Sequence, residues 1–401
     1  MFSGRLEQIQ QLLSTVAQAG QHAVIYGERG VGKTSLVMTV ATLLGAVSTG
    51  GANATAGRVI VRVSSTATDT FASVWRRALD EIIYEDDVPG IGFRPVSQRV
   101  SGRLRDRFGL GDDLQVDEVR RVLAELPGSV FIIDEFDRIG KRHTSSFTDL
   151  VKSLSDYVVD ATVLLVGVAA TVEALVKDHE SVSRAMRQVY MPRMQLEELA
   201  DILTKAEQAV GIVFEVDGKG WITRLSQGFP HITHLVGQAS METAIMRSSL
   251  RVTIDDVRAG LEKAVQNTDH TTKDRYDRAV RSAHSGAIYR HVLLACAFTA
   301  AAQGHRLGYF QPASVAEPLA DILGRSQVAI ASFNSHLGEL CEDKREKVLE
   351  RTGQPRAYRF RFRDPLFVPF VILNGISTSL VNADKADALM RRRTAGSSES
   401  L

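Results

Sequence analysis

The residues from Gly27 to Ser35, GERGVGKTS, follow the pattern G-x-x-x-x-G-K-[ST] through Gly27, Gly32, Lys33 and Thr34. Such glycines let the backbone curl, so that the N–H groups of Glu28, Arg29, Gly30, Val31 and Gly32 face an anion. The helix that begins there adds its positive end. Lys33 is then placed to neutralise the β- and γ-phosphates of a nucleotide, Thr34 to ligate Mg²⁺, and Ser35 to complete the contact. A second stretch, SVFIIDEFDRIG from Ser129 to Gly140, runs apolar and then turns to two adjacent carboxylates, Asp134 and Glu135. Beside a phosphate loop they divide two tasks. Asp134 holds the metal through water, and Glu135 orients or deprotonates an attacking water. Binding needs only the metal-side charge, so the pair points to hydrolysis.

These groups need a scaffold that brings residue 33 next to residue 134. Apolar runs HAVIY, RVIVRV, SVFIID, TVLLVGV and QVYMPRM alternate with amphipathic helical segments, the pattern of a parallel sheet with crossover helices. Within this unit, residues 1–194, the small-residue segment Gly45 to Gly57 reads as a surface loop. Tyr84 to Asp117 reads as an irregular insertion carrying Arg94, Arg99, Arg103, Arg105 and Arg107. After Met194 the strands stop and four helical patterns follow, a helical unit over residues 195–270. The polar segment QNTDHTTKDRYDR reads as a linker into a third unit, residues 271–375. There three helices precede a hairpin signal at Thr352 to Pro355 and the alternation Tyr358, Arg359, Phe360, Arg361, Phe362, Arg363. Three helices and a β-wing make a winged-helix domain. The tail, residues 376–401, reads as polar and disordered.

Length and composition are consistent with this division. The chain has 401 residues, enough for two or three domains, and 48 basic against 47 acidic side chains, so any nucleic-acid contact must be local. Two distant cysteines, Cys296 and Cys341, argue against a disulfide framework or a zinc site. The N-terminus lacks the apolar stretch of a secretory signal, and the longest apolar run falls short of a membrane span. A cytoplasmic protein without membrane contact is expected.

The motifs together resemble AAA+ ATPases of the initiator clade, the origin-recognition-like and helicase-loader-like proteins, with STAND signalling NTPases as near neighbours. FSGRLEQIQQL is similar to the clade's opening box, FIIDEFD to its Walker B, SVSRAMRQVYMPRM to its arginine-finger segment and LSQGFPHITHLVGQA to its sensor 2 segment. The resemblance implies an α/β P-loop NTPase followed by an α-helical lid and a C-terminal winged helix, with ATP and Mg²⁺ as cofactors. It implies that Gly4 and Arg5 border the adenine, that Pro230 and His231 face the phosphates from the lid, and that Arg184, or else Arg187, acts as a finger. That finger would be supplied to or received from a partner protein or a second copy. Two positions depart from the pattern. His231 stands where an arginine is common, which loses a permanent charge and a bidentate fork. Ala170, beside Thr171, stands where a polar sensor is expected. Secure ATP binding with slow hydrolysis is therefore expected.

From Lys344 to Arg363 there are eight basic and two acidic residues. Such a stripe, with Arg356, Arg359, Arg361 and Arg363, is expected to meet the phosphates of double-stranded DNA. The competing expectation is a STAND-like signalling protein whose winged helix is an intramolecular or protein-binding latch.

Overall fold

The computed structural model describes residues 3–45, 52–53, 58–88, 98–169, 171–175, 184–284, 286–303, 308–354 and 357–391. The first unit comprises α1 (Leu6–Val16), β1 (His22–Gly27), α2 (Lys33–Leu43), β2 (Ala52–Asn53), β3 (Ile60–Ser64), α3 (Phe71–Asp80), β4 (Ile82–Val88), β5 (Gln98–Arg103), α4 (Leu104–Arg107), α5 (Val116–Ala124), β6 (Ser129–Asp134), α6 (Thr144–Asp156), β7 (Ala161–Val168) and β8 (Met186–Met191). Five strands form one sheet in the order β3-β6-β7-β1-β8, and every pair is parallel. All six residues of β6 are buried, as a strand covered on both faces requires. Alternation sends Ile25, Val130, Ile132, Leu164 and Val166 to the face covered by α1 and α2. It sends Val24, Phe131, Ile133, Val163 and Leu165 to the opposite face, covered by α3, α5 and α6.

Because the strands are parallel, their C-terminal ends share one edge of the sheet. Gly27 is in register with Val168 and with Met191, and Ser64 with Asp134. The phosphate loop and the carboxylate pair therefore emerge side by side, where open α/β sheets hold their ligands.

Four helices follow: α7 (Leu196–Val210), α8 (Val216–Leu225), α9 (Pro230–Met246) and α10 (Ile254–Gln266). The short parallel pair β9 (Val213–Phe214) and β10 (Arg251–Val252) ties them. The last unit comprises α11 (His270–Val280), α12 (Tyr289–Gln303), α13 (Pro312–Leu323), α14 (Asn334–Glu339), the antiparallel hairpin β11 (Leu349–Thr352) and β12 (Arg359–Phe362), α15 (Phe367–Ser377) and α16 (Ala383–Arg391). Its core joins Val292, Phe310, Phe360 and Phe367 to Ile222, Val236 and Val189 of the earlier units in one contiguous cluster. No helix of the described residues is long and apolar enough to cross a membrane.

Four local expectations change. The insertion expected to be irregular contains β4 and β5, an antiparallel pair that β2 extends from within the expected loop at 45–57. Two of its arginines are used locally. Arg105 bonds Asp80 at 3.0 Å and Asp112 at 2.8 Å, and Arg107 lies over Tyr84 at 5.2 Å; Arg94 lies outside the described residues. The expected linker is largely α11, capped by Asp269, which accepts the Thr272 N–H at 2.8 Å, and anchored by buried Tyr276, Ala279 and Val280. The tail expected to be disordered carries α16, whose Ala386 and Leu389 are buried and whose Asp387 pairs with Arg224 at 2.6 Å. Two buried apolar side chains, together with the ion pairs of Asp387 with Arg224 and of Asp384 with Arg258, dock it in a polar composition.

Candidate functional site

Between β1 and α2 the chain turns through Gly30 (φ 83°) and Gly32 (φ 94°), left-handed conformations that glycine adopts without strain. Gly32 is the N-cap of α2 and no side chain caps that end, so the helix directs its first N–H groups at the loop. Lys33 folds back over the loop and donates to the carbonyl oxygens of Gly27 at 3.1 Å and Glu28 at 2.7 Å. Burial pushes its ammonium down to about 8, against the pull of Asp137, Asp134 and Glu28.

Beside it a cavity of about 830 Å³ opens, large enough for a nucleotide. Arg29, Gly30, Val31, Gly32, Lys33, Thr34 and Ser35 form its floor, Asp134 and Glu135 one wall, and Pro230 and His231 at the start of α9 the other. Sequence reasoning thus brings together most of the residues it singled out. Arg5 lines the cavity too. Its Nη2 donates to Pro192 O at 2.6 Å and to Val31 O at 3.4 Å, clipping the phosphate loop to the end of β8, and its Nε has no hydrogen-bond partner among the described residues. Gly4 lies against Glu198, whose carboxylate a Cβ at this position would meet.

The carboxylates differ in their surroundings. Asp134 is buried, and its Oδ2 accepts from Thr34 Oγ1 at 2.9 Å and from Arg62 Nη2 at 2.7 Å. Glu135 follows in a left-handed conformation (φ 54°), which turns its side chain away from Asp134 to accept from Ser64 Oγ at 3.0 Å and Arg138 Nη1 at 3.0 Å. The Thr34 hydroxyl and the Asp134 carboxylate form a pair of hard oxygen donors beside the phosphate loop. That is the donor set Mg²⁺ takes when phosphate and water supply the rest, and it fits that ion.

Several expected residues lie elsewhere. Glu28 turns its carboxylate outward to Arg193 at 2.6 Å, and that guanidinium lies over Phe229 at 4.7 Å. Arg184 is exposed and precedes β8, so it lies at the sheet edge opposite its own chain's phosphate loop; Arg187 lies on β8, its Nη1 donating to Gln11 O at 3.5 Å. Ala170 and Arg356 lie outside the described residues. On β12, Phe360 and Phe362 are buried as the alternation predicts, while Arg359 is exposed. Arg361 pairs with Glu350 and lies over Tyr309 at 4.8 Å. With Arg363 it lines a second cavity, of about 840 Å³, against Glu28, Arg29 and Arg193 of the first unit. Two of the four arginines expected on DNA therefore face the phosphate-loop unit.

Sequence reasoning missed Arg62, Ser64, Asp137 and Leu366. Asp137 had a visible signal, the second aspartate of DEFD; it accepts the Val168 N–H at 2.7 Å and fixes the end of β7 against the site. Leu366, the N-cap residue of α15, is in contact with the phosphate loop. A Cβ on Gly30 would lie 2.6 Å from its Cδ2.

The parallel sheet, with its phosphate loop after β1 and its carboxylate pair after β6, is the P-loop NTPase arrangement expected from the sequence. The Novel STAND NTPase 1 family model matches residues 1–293. A curated relative, the Holliday junction branch migration complex subunit RuvB of Rhodococcus erythropolis, is 27% identical over 213 residues; the match covers 49% of this chain and 57% of that protein's length. Among solved structures, the ORC2 protein of Aeropyrum pernix aligns with a TM-score of 0.48 and 15% identity, covering 96% of this chain and 97% of that one. A Walker-type ATPase of Pyrococcus abyssi aligns with a TM-score of 0.49 and 13% identity, covering 92% and 96%.

Proposed function

We propose that this chain, which belongs to the Novel STAND NTPase 1 family, is an ATP-binding switch whose C-terminal unit is a latch closed on the phosphate loop. The observation that carries the proposal is the seat of Leu366 on Gly30. Any ordering of the loop by nucleotide is felt directly at the start of α15. The shared apolar core joins the same unit to the two before it.

In this reading residues 1–194 are the nucleotide-binding base, 195–270 the lid and 271–375 a winged helix, to which α16 adds a docked helix. Lys33 and the amides of residues 28–35 hold the phosphates, Arg5 and Gly4 border the base, and Pro230 and His231 close over the nucleotide from the lid. Thr34 and Asp134 would hold Mg²⁺, which supplies charge neutralisation to the phosphates when bound. Glu135 is the base for slow hydrolysis, with His231 a weaker phosphate partner than arginine. Arg184, remote from its own site, serves a neighbouring copy or partner. The free thiols Cys296 and Cys341 support a reducing, cytoplasmic setting.

Leu366→Asp places a charge on the apolar seat and is expected to open the latch, seen as a larger radius of gyration by small-angle scattering with helix content unchanged. A folded variant as compact as the parent would remove the latch.

A second reading, DNA contact through the hairpin, draws support from Arg359, exposed on the face opposite the buried Phe360 and Phe362. Arg359, Arg361 and Arg363 changed together to Ala should then weaken binding to every duplex alike and lower the slope of log K against log salt by up to about 2.7, at roughly 0.9 per phosphate. No binding by the parent at low salt would leave the latch as the sole role of this unit.

A further inference from the structure

We propose that Arg62 is a tethered counter-ion that occupies the metal side of Asp134 until magnesium arriving with nucleotide displaces it. Arg62 lies on β3, the edge strand beside β6, two residues before Ser64, the register partner of Asp134. Its guanidinium reaches along the strand, with Nη2 at 2.7 Å and Nε at 3.2 Å from Asp134 Oδ2. The same oxygen accepts from Thr34 at 2.9 Å, while Oδ1 is taken by the Glu135 N–H at 2.9 Å. The oxygen that a cation shared with Thr34 would need is therefore already under a fixed positive charge. Lys33 does not share the task, because its ammonium is bonded to the loop carbonyls of Gly27 and Glu28.

The exposures decide which partner moves. The Asp134 side chain is 4% exposed and that of Arg62 38%, so the carboxylate is held in the wall while the arginine has solvent to withdraw into. A nearly dry carboxylate without a counter-charge would repel a polyphosphate. Arg62 removes that repulsion and also bars free metal, since a guanidinium and a divalent cation repel each other on one oxygen. Phosphate charge tips the exchange: magnesium carried by the triphosphate gains ligands that the free ion lacks.

This inference rests on the assignment of Thr34 and Asp134 to the metal side. A fluorescent ATP analogue titrated into the full chain, over a series of free Mg²⁺ concentrations and in EDTA, tests both. In Arg62→Ala the midpoint of the Mg²⁺ dependence should fall about tenfold, the scale of one charge-assisted hydrogen bond discounted for solvent screening. The affinity in EDTA should fall as well. Arg62→Lys, which keeps the charge but not the fork, should lie between, and Mn²⁺ without nucleotide should bind Arg62→Ala more tightly than the parent by electron paramagnetic resonance. A folded Arg62→Ala whose midpoint is unchanged or higher overturns the role of Arg62 alone. A parent whose nucleotide affinity ignores Mg²⁺ overturns the metal assignment and this inference together.

Discussion

Lys33→Ala is expected to lower nucleotide affinity at least about a hundredfold, the scale of removing one partner from a buried charge pair. The lysine is buried and sits at the start of α2, where the loop amides and the helix end already converge. The loop's other cation, Arg29, is exposed on its crest and screened by water. The same residue sets a pH dependence whose sign follows from its burial. With its ammonium pushed down to about 8, Lys33 is charged in both free and bound states below that pH, and affinity is insensitive to it. Above pH 8 the free site has lost the proton and phosphate must draw it back, so affinity falls by up to about tenfold per pH unit. In Lys33→Arg, charged throughout, that fall should vanish. Titration calorimetry at pH 7, 8 and 9 checks both statements. Unchanged affinity in Lys33→Ala would remove the phosphate-loop assignment, and a fall that persists in Lys33→Arg would assign the pH dependence elsewhere.

Glu135→Gln is expected to keep nucleotide and Mg²⁺ while losing turnover by about a hundredfold or more, the usual contribution of a general base. The amide oxygen can still accept from Ser64, which lies 3.0 Å from Oε2 in the parent, so the turn should hold its shape. What disappears is the group that accepts a proton. The charge lost against Arg138 is of little consequence for stability, since both side chains of that pair are about half exposed. Phosphate release under single-turnover conditions measures this. Equal release by variant and parent would exclude Glu135 as the base and leave the carboxylate a structural tie to β3.

What the sequence makes legible is what short-range chemistry specifies. GERGVGKTS encodes its own geometry, because glycines, lysine and threonine act within one turn. The buried runs announce a parallel sheet, because strands covered on both faces have no polar alternation. The pair Asp134 and Glu135 could be placed beside the loop from the fold that the phosphate-loop motif implies. Side-chain direction across strands is another matter. Arg62 reads as a solvent-facing residue of RVIVRV, and only the register of β3 against β6 turns it toward Asp134. The alternation in YRFRFR correctly separates buried aromatics from arginines. It does not say whether the arginine face meets solvent or another unit, and here Arg361 and Arg363 look into the cavity against Glu28 and Arg193. Leu366 is a leucine among many until its contact with Gly30, 336 positions away in the chain (366 − 30), is seen. The helices α11 and α16 hide in polar segments because each needs only two or three buried side chains to dock.

The central claim is that nucleotide in the phosphate loop governs the latch. Amide hydrogen exchange of the segment 364–371, with and without ATP and Mg²⁺ in the Glu135→Gln background, tests it most directly. Ordering of the loop under Leu366 should slow exchange in this segment together with that of residues 28–35, and Lys33→Ala should abolish both effects. Protection of residues 28–35 with exchange in 364–371 unchanged would contradict the claim, leaving a nucleotide site to which the C-terminal unit is indifferent.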